Sequence, residues 1–276
     1  MSRNKERGVV LLTGASGGIG TVTAELLLSK GYKVYGTTRN LNSTPKTPYN
    51  LLQLEVTEED SVKKCVLEVM KKEGKIDILI NNAGYALCGA LKDLSIDLLR
   101  DNFEINLFGV HRMVREVVPI MIKQNKGKII NVGSFASRFG LPFQGGYSSV
   151  KAALAVYSDA LKIELLRENI KVSLVEPGDT QTDFNAGRKY SGGFENDPDA
   201  QRAVKIMRKA EQKGTKPEKV AKTILRAVKA KRPKPRYTRG PDTKIFGTLI
   251  RLMPYTIHVF IARLYYGVPK RRKKEK

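Results

Sequence analysis

The sequence contains few of the residues from which disulfide frameworks and metal sites are built. Among its 276 residues are 2 cysteines and 2 histidines. Cys65 and Cys88 are too few for a disulfide framework, and neither stands at a metal-ligand spacing from His111 or His258. We therefore expect no metal site. We also expect reduced thiols, as in an intracellular, cytoplasmic protein.

Long uncharged apolar runs are missing as well. Near the N-terminus, the polar residues 1–8 are followed by an apolar run of only four residues, 9–12, which is too short for a signal peptide. In the apolar segment 243–268, the longest run without a formal charge is the 11 residues 252–262. A membrane-spanning helix needs about 20 such residues. The sequence therefore predicts neither a secretory leader nor a membrane span.

Basic residues, in contrast, are abundant and unevenly placed. The chain has 50 Lys and Arg against 27 Asp and Glu, a net charge of +23. Residues 229–276 alone contain 15 basic and 2 acidic residues. The length and the 41% hydrophobic content suit one large globular domain. We predict a catalytic domain over residues 1–240, with substrate-binding loop and helices at about 179–229, and an amphipathic, polybasic extension over 241–276.

The first three quarters of the chain alternate short β-branched runs with amphipathic stretches. This alternation predicts an α/β fold, a doubly wound parallel sheet with helices on both faces and a dinucleotide crevice at the carboxyl ends of the strands. We interpret 179–198 as a loop and 231–240 as a linker. The predicted strands are 9–12, 33–38, 51–56, 76–80, 128–132 and 171–175. The predicted helices are 21–29, 61–72, 98–122, 148–168, 200–212 and 217–229.

A glycine-rich turn joins the first strand to the first helix. Residues 13–20 read Thr-Gly-Ala-Ser-Gly-Gly-Ile-Gly. Glycines let the backbone turn tightly and approach a pyrophosphate, which the free N–H groups of a helix N-terminus can bind. The alternative is a glycine-rich turn without a ligand. The candidate cofactor residues in the turn are Thr13, Gly14, Ser16, Gly18, Ile19 and Gly20.

The end of the second strand indicates which dinucleotide is bound. NAD enzymes usually place an Asp or Glu there for the ribose 2′-hydroxyl. Here the position is Thr38, followed by Arg39. A guanidinium pairs with a 2′-phosphate through two hydrogen bonds. We therefore predict NADP(H), with a solvated loop charge at Arg39 as the alternative.

Polar residues follow the next strands in an order that indicates an acid–base catalytic site. Asn81, Asn82, Ala83 and Gly84 follow the fourth strand, and Ser134 follows the fifth. Tyr147 and Lys151 stand four residues apart on one predicted helix, so they share a face. An ammonium near a phenol stabilises the phenolate and lowers the pKa of the tyrosine toward useful acid–base catalysis.

Together these motifs resemble the short-chain dehydrogenase/reductase family over about residues 7–240. The resemblance implies a Rossmann-type fold and hydride transfer between a nicotinamide and a carbonyl or alcohol. It implies that Tyr147 is the general acid/base, Ser134 orients the substrate oxygen, Lys151 binds ribose and lowers the pKa of Tyr147, and Asn106 holds a relay water. The implied cofactor residues outside the glycine turn are Arg39, Glu55, Val56, Asn82, Ala83, Gly84, Tyr147, Lys151, Pro177, Gly178, Thr180 and Thr182. Glu55 departs from the family's usual Asp.

The expected activity is an NADP(H)-dependent carbonyl reductase or alcohol dehydrogenase with an apolar, lipid-like, steroid-like or retinoid-like substrate. The alternatives are a 3-oxoacyl reductase and a non-catalytic, NADP(H)-sensing scaffold, and we expect a homo-oligomer. We interpret Cys88 as small apolar lining and His111 as a satisfied or exposed histidine. The apolar residues that could line the substrate pocket are Leu141, Phe143, Phe184, Tyr190, Phe194 and Met207.

The basic tail carries two candidate apolar helix faces, which flank Pro254. One comprises Ile245, Leu249, Leu252 and Met253, and the other comprises Ile257, Phe260, Ile261 and Leu264. With the basic cluster 270–274, this pattern predicts peripheral contact with an anionic membrane surface. A lid or a dimer contact is the alternative. Specific nucleic-acid binding is not expected, because a basic tail without a reading motif supports only salt-sensitive, non-specific binding.

Overall fold

The computed structural model describes residues 7–182, 187–240 and 253–268. Its centre is a seven-stranded sheet in which every neighbouring pair is parallel, in the order β3-β2-β1-β4-β6-β7-β9. A second, two-stranded sheet pairs β5 with β8. The strands are β1 Val9–Leu12, β2 Lys33–Thr38, β3 Asn50–Gln53, β4 Ile78–Asn81, β5 Leu87–Cys88, β6 Gly127–Val132, β7 Ile170–Pro177, β8 Lys189–Tyr190 and β9 Arg236–Arg239.

The helices follow the strands in the alternation that the sequence predicts. Between α3 and α4 lies a π-helical segment, Glu104–Phe108, so the predicted long helix is continuous in direction but changes its winding there. The helices are α1 Gly18–Ser29, α2 Glu59–Glu73, α3 Ile96–Phe103, α4 Gly109–Lys123, α5 Gly145–Glu164, α6 Pro198–Gln212, α7 Pro217–Lys229 and α8 Tyr255–Tyr265.

Two apolar cores sandwich the sheet. In β1, Val9 and Leu11 pack into the core formed with α2, α4 and α5. Val10 and Leu12 point to the opposite face and pack with α1 and α7. Side chains alternate between the faces of a strand, so a central strand covered on both sides must be apolar throughout. The doubly wound α/β fold is thereby confirmed.

The seventh strand corrects the interpretation of residues 231–240 as a linker. β9 pairs with β7 from Leu174↔Arg236 to Pro177↔Arg239. Tyr237 is buried in the core on the α7 face, while Arg236 forms an ion pair with Asp159. Because the other residues of this strand are polar or charged, its one buried position, Tyr237, does not form an apolar run in the sequence.

Two further interpretations of segments near the site also change. The third strand ends at Gln53 rather than 56. The Leu54 N–H still donates to the Thr38 carbonyl at 2.8 Å, but the Glu55 N–H donates to Ser61 Oγ at 2.9 Å instead of to a strand. The stretch 179–198, interpreted as a loop, contains β8 and a short 3-10 helix at Phe194–Asn196. This stretch therefore adds structure beside the carboxyl ends of the sheet.

The tail contributes α8, whose C-terminal end packs on α6. Tyr266 is 7% exposed and packs with Cys88, Val204 and Met207. Arg202 Nη2 donates to the Gly267 carbonyl at 2.8 Å. This packing agrees with the alternative in which the tail forms a lid on the domain. Residues 245–252, which hold the first predicted helix face except Met253, lie outside the described residues, and so does the basic cluster 270–274.

Candidate active site

A cavity of about 880 Å³ opens at the carboxyl ends of the strands. β1 lies between β2 and β4, so the chain winds outward in both directions from this point and leaves a crevice there. The cavity brings together most of the predicted site residues. Those that line it are Gly14, Ser16, Gly18, Ile19, Arg39, Glu55, Val56, Asn82, Ala83, Gly84, Ser134, Tyr147, Lys151, Pro177, Gly178, Thr180 and Thr182.

The glycine turn presents an open helix N-terminus to this cavity. Gly17 is the N-cap of α1, no side chain caps the helix, and no acidic residue lies in its first turn. Gly14 and Gly18 have φ values of 66° and 51°, which favour glycine. A Cβ at Gly14 would lie 2.9 Å from the Ala83 Cα. The turn therefore fits a dinucleotide pyrophosphate bound by backbone N–H groups.

Two of the predicted cofactor residues, Thr13 and Gly20, shape the turn without lining the cavity. The buried Thr13 hydroxyl accepts hydrogen bonds from the N–H groups of Asn82 and Ala83 at 2.9 and 3.0 Å. Asn82 Nδ2 donates to the carbonyls of Thr13 and Gly14. These bonds join the ends of β1 and β4, so Asn82 combines a structural role with its place in the cavity.

The end of β2 offers the cavity a cation and no carboxylate. Arg39 is exposed and lines the cavity, and Thr38 is buried, with its Oγ1 3.0 Å from Thr44 Oγ1. Just after the neighbouring strand β3, Glu55 Oε1 accepts hydrogen bonds from the N–H and hydroxyl of Thr57 at 3.2 and 2.9 Å. Because Glu55 is engaged in this turn, its longer side chain is accommodated where the family usually has Asp.

Ser134, Tyr147 and Lys151 meet in the middle of the cavity. Ser134 follows β6, and the other two lie in the first two turns of α5. Tyr147 forms a hydrogen bond with Ser134. Lys151 Nζ lies 5.7 Å from the centroid of the Tyr147 ring and donates to the Val132 carbonyl at 3.2 Å. The helix spacing of four residues therefore brings the phenol and the ammonium to the same side.

The pKa of Tyr147 moves in the opposite direction from the one the sequence predicts. Burial raises the pKa of Tyr147 to about 12, and this effect outweighs the hydrogen bond with Ser134 and the charge of Arg188, which lower it. Burial also lowers the pKa of Lys151 to about 8. Desolvation disfavours the charged form of each group. Tyr147 is thus held as a phenol, ready to donate a proton.

Asn106 lies behind the cavity, in the π-helical segment. Its side chain is fully buried, and its Nδ2 donates to the carbonyls of Tyr85 and Asn102 at 3.2 and 3.1 Å. Its Oδ1 has no hydrogen-bond partner among the described residues. Both Oδ1 and Lys151 Nζ lie close to Gly84, where a Cβ would collide with Asn106. A buried acceptor of this kind suits an ordered water.

The apolar residues that line the cavity differ from the set that the sequence predicts for the substrate pocket. Leu141 and Met207 line it, as expected. Phe143, Tyr190 and Phe194 do not, because they pack in the apolar cluster beneath. Phe184 lies outside the described residues. α8 closes this end instead, and its lining residues are His258, Ile261, Ala262 and Tyr265.

Cys88 is not part of the cavity lining, which corrects its predicted role. It is 2% exposed, Gln144 Nε2 donates to its Sγ at 3.4 Å, and burial raises the pKa of its thiol. His111 has its Nδ1 3.0 Å from Tyr157 Oη on the outer surface, as the sequence predicts. Among the described residues, no group of three or more His, Cys, Asp and Glu side chains is arranged to hold a metal ion.

The sequence analysis did not identify three charged residues in or near the site. Arg188 and Glu211 line the cavity as an ion pair, with Arg188 Nη2 2.6 Å from Glu211 Oε1. Glu176, at the end of β7, is fully buried and pairs with Arg138 and Arg236 at 2.6 and 3.4 Å. Arg188 and Glu211 lie in polar segments typical of solvent-exposed surface. Glu176 lies near the end of the apolar strand β7, and its ion-pair partners are distant in the sequence, so no local pattern identifies any of the three.

Comparison with known proteins establishes what kind of site this is. Residues 8–191 match the family model described as short chain dehydrogenase. The protein belongs to the short-chain dehydrogenase/reductase family. It is 36% identical to a 3-ketodihydrosphingosine reductase from Bacteroides thetaiotaomicron, an alignment that covers 94% of this chain and 98% of the relative. It is 32% identical to an NADPH-dependent 3-dehydrocapnine reductase from Ornithobacterium rhinotracheale, over 88% and 92% of the two chains.

The fold agrees with a solved member of the family. A short-chain dehydrogenase from Streptomyces avermitilis matches with a TM-score of 0.75 at 29% identity, over 93% of this chain and 95% of that one. The short-chain dehydrogenase/reductase described here is therefore an oxidoreductase that acts on CH–OH or C=O groups with NAD or NADP. Within the three described ranges, no helix has both the length and the apolar content to cross a bilayer.

Proposed function

We propose that the protein is an NADPH-dependent reductase of an apolar, lipid-like ketone. The observation that carries this proposal is the continuity of the cavity. It runs from Arg39, past Ser134 and Tyr147, to an apolar end formed by Leu141 and Met207 and covered by α8. Relatives that align over nearly the whole chain are named for reduction of 3-ketodihydrosphingosine and 3-dehydrocapnine, which supports this substrate class.

The residues divide the chemistry between them. Bound NADPH supplies the hydride. Ser134 Oγ and Tyr147 Oη hold the carbonyl oxygen of the substrate, and the Tyr147 phenol donates its proton to that oxygen as the alcohol forms. A pKa raised to about 12 keeps Tyr147 protonated near neutral pH, so the phenol has the proton that reduction of a ketone requires. Asn106 Oδ1 and Lys151 Nζ hold the water through which Tyr147 regains its proton.

Arg39 makes NADPH the favoured cofactor. It is exposed at the wall of the cavity, where the neighbouring Thr38 provides a hydroxyl and no carboxylate. A carboxylate at this position would accept the ribose 2′-hydroxyl and repel a 2′-phosphate. A guanidinium is the group that binds a phosphate through two parallel hydrogen bonds.

We further propose that α8 brings the apolar end of the cavity to an anionic membrane surface. Ile257, Phe260 and Leu264 are 42%, 54% and 57% exposed on the helix that covers the cavity. The basic cluster 270–274 follows this helix in the sequence. An exposed apolar helix face next to a polybasic segment is typical of peripheral attachment.

The test of the proposed function is NADPH oxidation by the purified protein with long-chain, steroid, retinoid and short simple ketones. We expect turnover with long-chain ketones and little with short ones. Tyr147→Phe removes only the phenolic oxygen and its proton, so we expect a rate loss of about 10²–10⁴-fold with NADPH affinity nearly unchanged in a binding titration. A near wild-type rate in this variant would contradict the acid/base assignment.

A further inference from the structure

Tyr85 lies in the wall of the cavity and contacts two charged residues that have no part in the proposed reaction. Its hydroxyl donates to Asp101 Oδ2, and Lys189 Nζ lies 4.8 Å from the centroid of its ring. Lys189 Nζ also lies 2.7 Å from Asp101 Oδ2. These three side chains, which we call the Tyr85 cluster, therefore contact one another and join the segment after β4 to α3 and β8.

The Asp101 carboxylate is the charged centre of the Tyr85 cluster. Burial acts to raise the pKa of Asp101, but hydrogen bonds from Lys189 and Tyr85, together with the Lys189 charge, hold it below its usual value. The charge of Arg39 acts in the same direction and ranks behind these causes. Lys189, which contacts both the carboxylate and the ring, is therefore the cation that fixes the cluster.

The backbone of Tyr85 holds the Asn106 side chain in one orientation. Asn106 Nδ2 donates to the carbonyls of Tyr85 and Asn102 at 3.2 and 3.1 Å. Only the NH₂ end of an amide donates, so two carbonyl partners fix the direction in which Oδ1 points. Asn102 lies four residues earlier in the same continuous helix and moves with Asn106. Tyr85 is therefore the partner that orients this amide relative to the sheet.

The residue before Tyr85 forms a wall of the proposed proton relay. A Cβ at Gly84 would collide with Asn106 Oδ1 and lie 3.7 Å from Lys151 Nζ. A shift of the Tyr85 backbone would move Gly84 with it and change the space for the relay water. A misplacement of about 1 Å in an active site can lower a rate about 10²-fold.

We propose that Tyr85, Asp101 and Lys189 are positioning residues for Asn106. Lys189 holds Asp101, and Asp101 holds the Tyr85 hydroxyl. The Tyr85 carbonyl in turn orients the Asn106 amide so that its Oδ1 faces the relay water. Lys189 begins β8, which pairs with β5 beside the cavity, so the position of β8 sets the geometry through which Tyr147 regains its proton. This inference rests on the relay of the proposed function, but the orientation of Asn106 can be measured without turnover.

The kinetic test measures reduction of a long-chain ketone by NADPH in Lys189→Met and Tyr85→Phe. These variants remove the cation or the hydroxyl and keep most of the side chain. We expect kcat to fall about tenfold in each, with KM for the ketone and Kd for NADPH within about twofold of wild type. Lys189→Arg should restore kcat to within about threefold of wild type, because a guanidinium pairs with a carboxylate and stacks on an aromatic ring.

Lys72→Met is the matched control, and it should keep the wild-type kcat. Lys72 Nζ lies 2.7 Å from Glu68 Oε1 and 6.0 Å from the centroid of the Tyr35 ring, on α2. The side chains of Lys72 and Lys189 are each 48% exposed. Exposed ion pairs contribute little to stability, so we expect both lysine variants to fold.

A double-variant cycle tests whether the cluster acts through Asn106. In an Asn106→Ala background, Lys189→Met should lower kcat by less than about twofold, because the group that it positions is already absent. A structural role of Lys189 that does not involve Asn106 gives the same loss in both backgrounds. An unchanged kcat in both Lys189→Met and Tyr85→Phe, or a full loss that persists without Asn106, overturns the proposal.

A measurement without turnover separates this inference from the proposed function and does not require Asn106→Ala to fold. NMR of the NADP⁺-loaded protein follows the exchange of the Asn106 side-chain amide hydrogens with water. Lys189→Met should raise this exchange rate at least about tenfold, because the amide loses its fixed partner, and Lys72→Met should not. If no ketone is reduced but the exchange rises in Lys189→Met alone, the inference stands and the proposed function fails. If wild type and Lys189→Met exchange at the same rate, the inference is wrong.

Discussion

At the scale of single residues, burial decides how the central side chains ionise. Tyr147 and Lys151 are 9% and 5% exposed, and burial keeps both toward their neutral forms. A spacing of four residues on a helix correctly predicts that the two groups lie together. It cannot predict their desolvation, which depends on β6 and on the residues that close the cavity. Tyr147 therefore stays in its phenol form over a wider pH range than the sequence alone indicates.

The same burial predicts that Lys151 destabilises the folded protein near neutral pH. Folding lowers the pKa of Lys151 from 10.5 to about 8, because the charged form loses its hydration. The cost is complete below about pH 8 and disappears above pH 10.5. Lys151→Met should therefore raise the free energy of unfolding at pH 7 by about 1–2 kcal/mol while abolishing turnover.

Denaturant unfolding at pH 7 and pH 10 checks this prediction. The gain in Lys151→Met should shrink toward pH 10, where the wild-type lysine is largely neutral in the folded state. Lys222→Met, at an exposed position on α7, is the control and should show no such pH dependence. A gain of equal size at both pH values would show that packing, and not ionisation, stabilises the variant.

The second prediction at the residue scale concerns Arg39 and the choice between NADPH and NADH. Arg39→Ala should weaken NADPH binding by about 1.5–3 kcal/mol, the usual loss for a charged hydrogen bond, and NADH binding far less. Thr38→Asp should move the preference toward NADH, because the new carboxylate accepts the ribose hydroxyl and repels a phosphate. Titration of each variant with both cofactors measures the effect. Equal losses for the two cofactors in Arg39→Ala would refute the proposed preference.

At the scale of elements, Glu176 joins three parts of the fold around Ser134 through a hydrogen bond and two ion pairs. It stands at the end of β7, accepts a hydrogen bond from Ser137 Oγ at 2.8 Å, and pairs with Arg138 in the 3-10 helix after Ser134. It also pairs with Arg236 of β9 at 3.4 Å. The last strand, whose sequence resembles a linker, is in this way connected to the segment that presents Ser134.

Glu176→Ala should therefore lower the free energy of unfolding by about 3–5 kcal/mol, because it leaves Arg138 without the carboxylate of a buried pair. Glu68→Ala is the matched control, since Glu68 forms an exposed pair with Lys72 on α2 and should contribute about 0–1 kcal/mol. Urea unfolding of the two variants gives both numbers. A loss below 1 kcal/mol in Glu176→Ala would show that the cluster is solvated in the working protein.

The elements also show how far the sequence predicts this fold. Strands buried on both faces, such as Val9–Leu12, are continuous apolar runs, and α7 begins and ends where its pattern predicts. The sequence does not predict β9, because Tyr237 is its only buried side chain. Arg188 and Glu211 escape for a related reason: tertiary contact buries charges that occur in polar, surface-like segments. Local patterns thus predict elements and motif residues, while charges buried by distant partners require the structure.

At the scale of the whole molecule, the tail connects the cavity with the surface. α8 contributes its inner side to the cavity and leaves Ile257, Phe260 and Leu264 exposed. Five basic residues at 270–274 follow in the sequence. An apolar substrate would leave a bilayer most easily where the cavity meets it. In this position, one helix would serve both as the cover of the cavity and in the proposed membrane contact.

The last prediction is that the tail binds anionic vesicles in a salt-sensitive way. Each basic residue near such a surface contributes about 1 kcal/mol, and salt weakens this attraction because the Debye length falls to about 3 Å at 1 M. Full-length protein should sediment with phosphatidylserine vesicles at low salt and be released at high salt. Leu264→Ser should weaken sedimentation, whereas Leu67→Ser, at a leucine on α2 that is 65% exposed, should not. Failure of the full-length protein to sediment at low salt would leave α8 as a lid alone, and equal effects of the two serine substitutions would remove the apolar face from the contact.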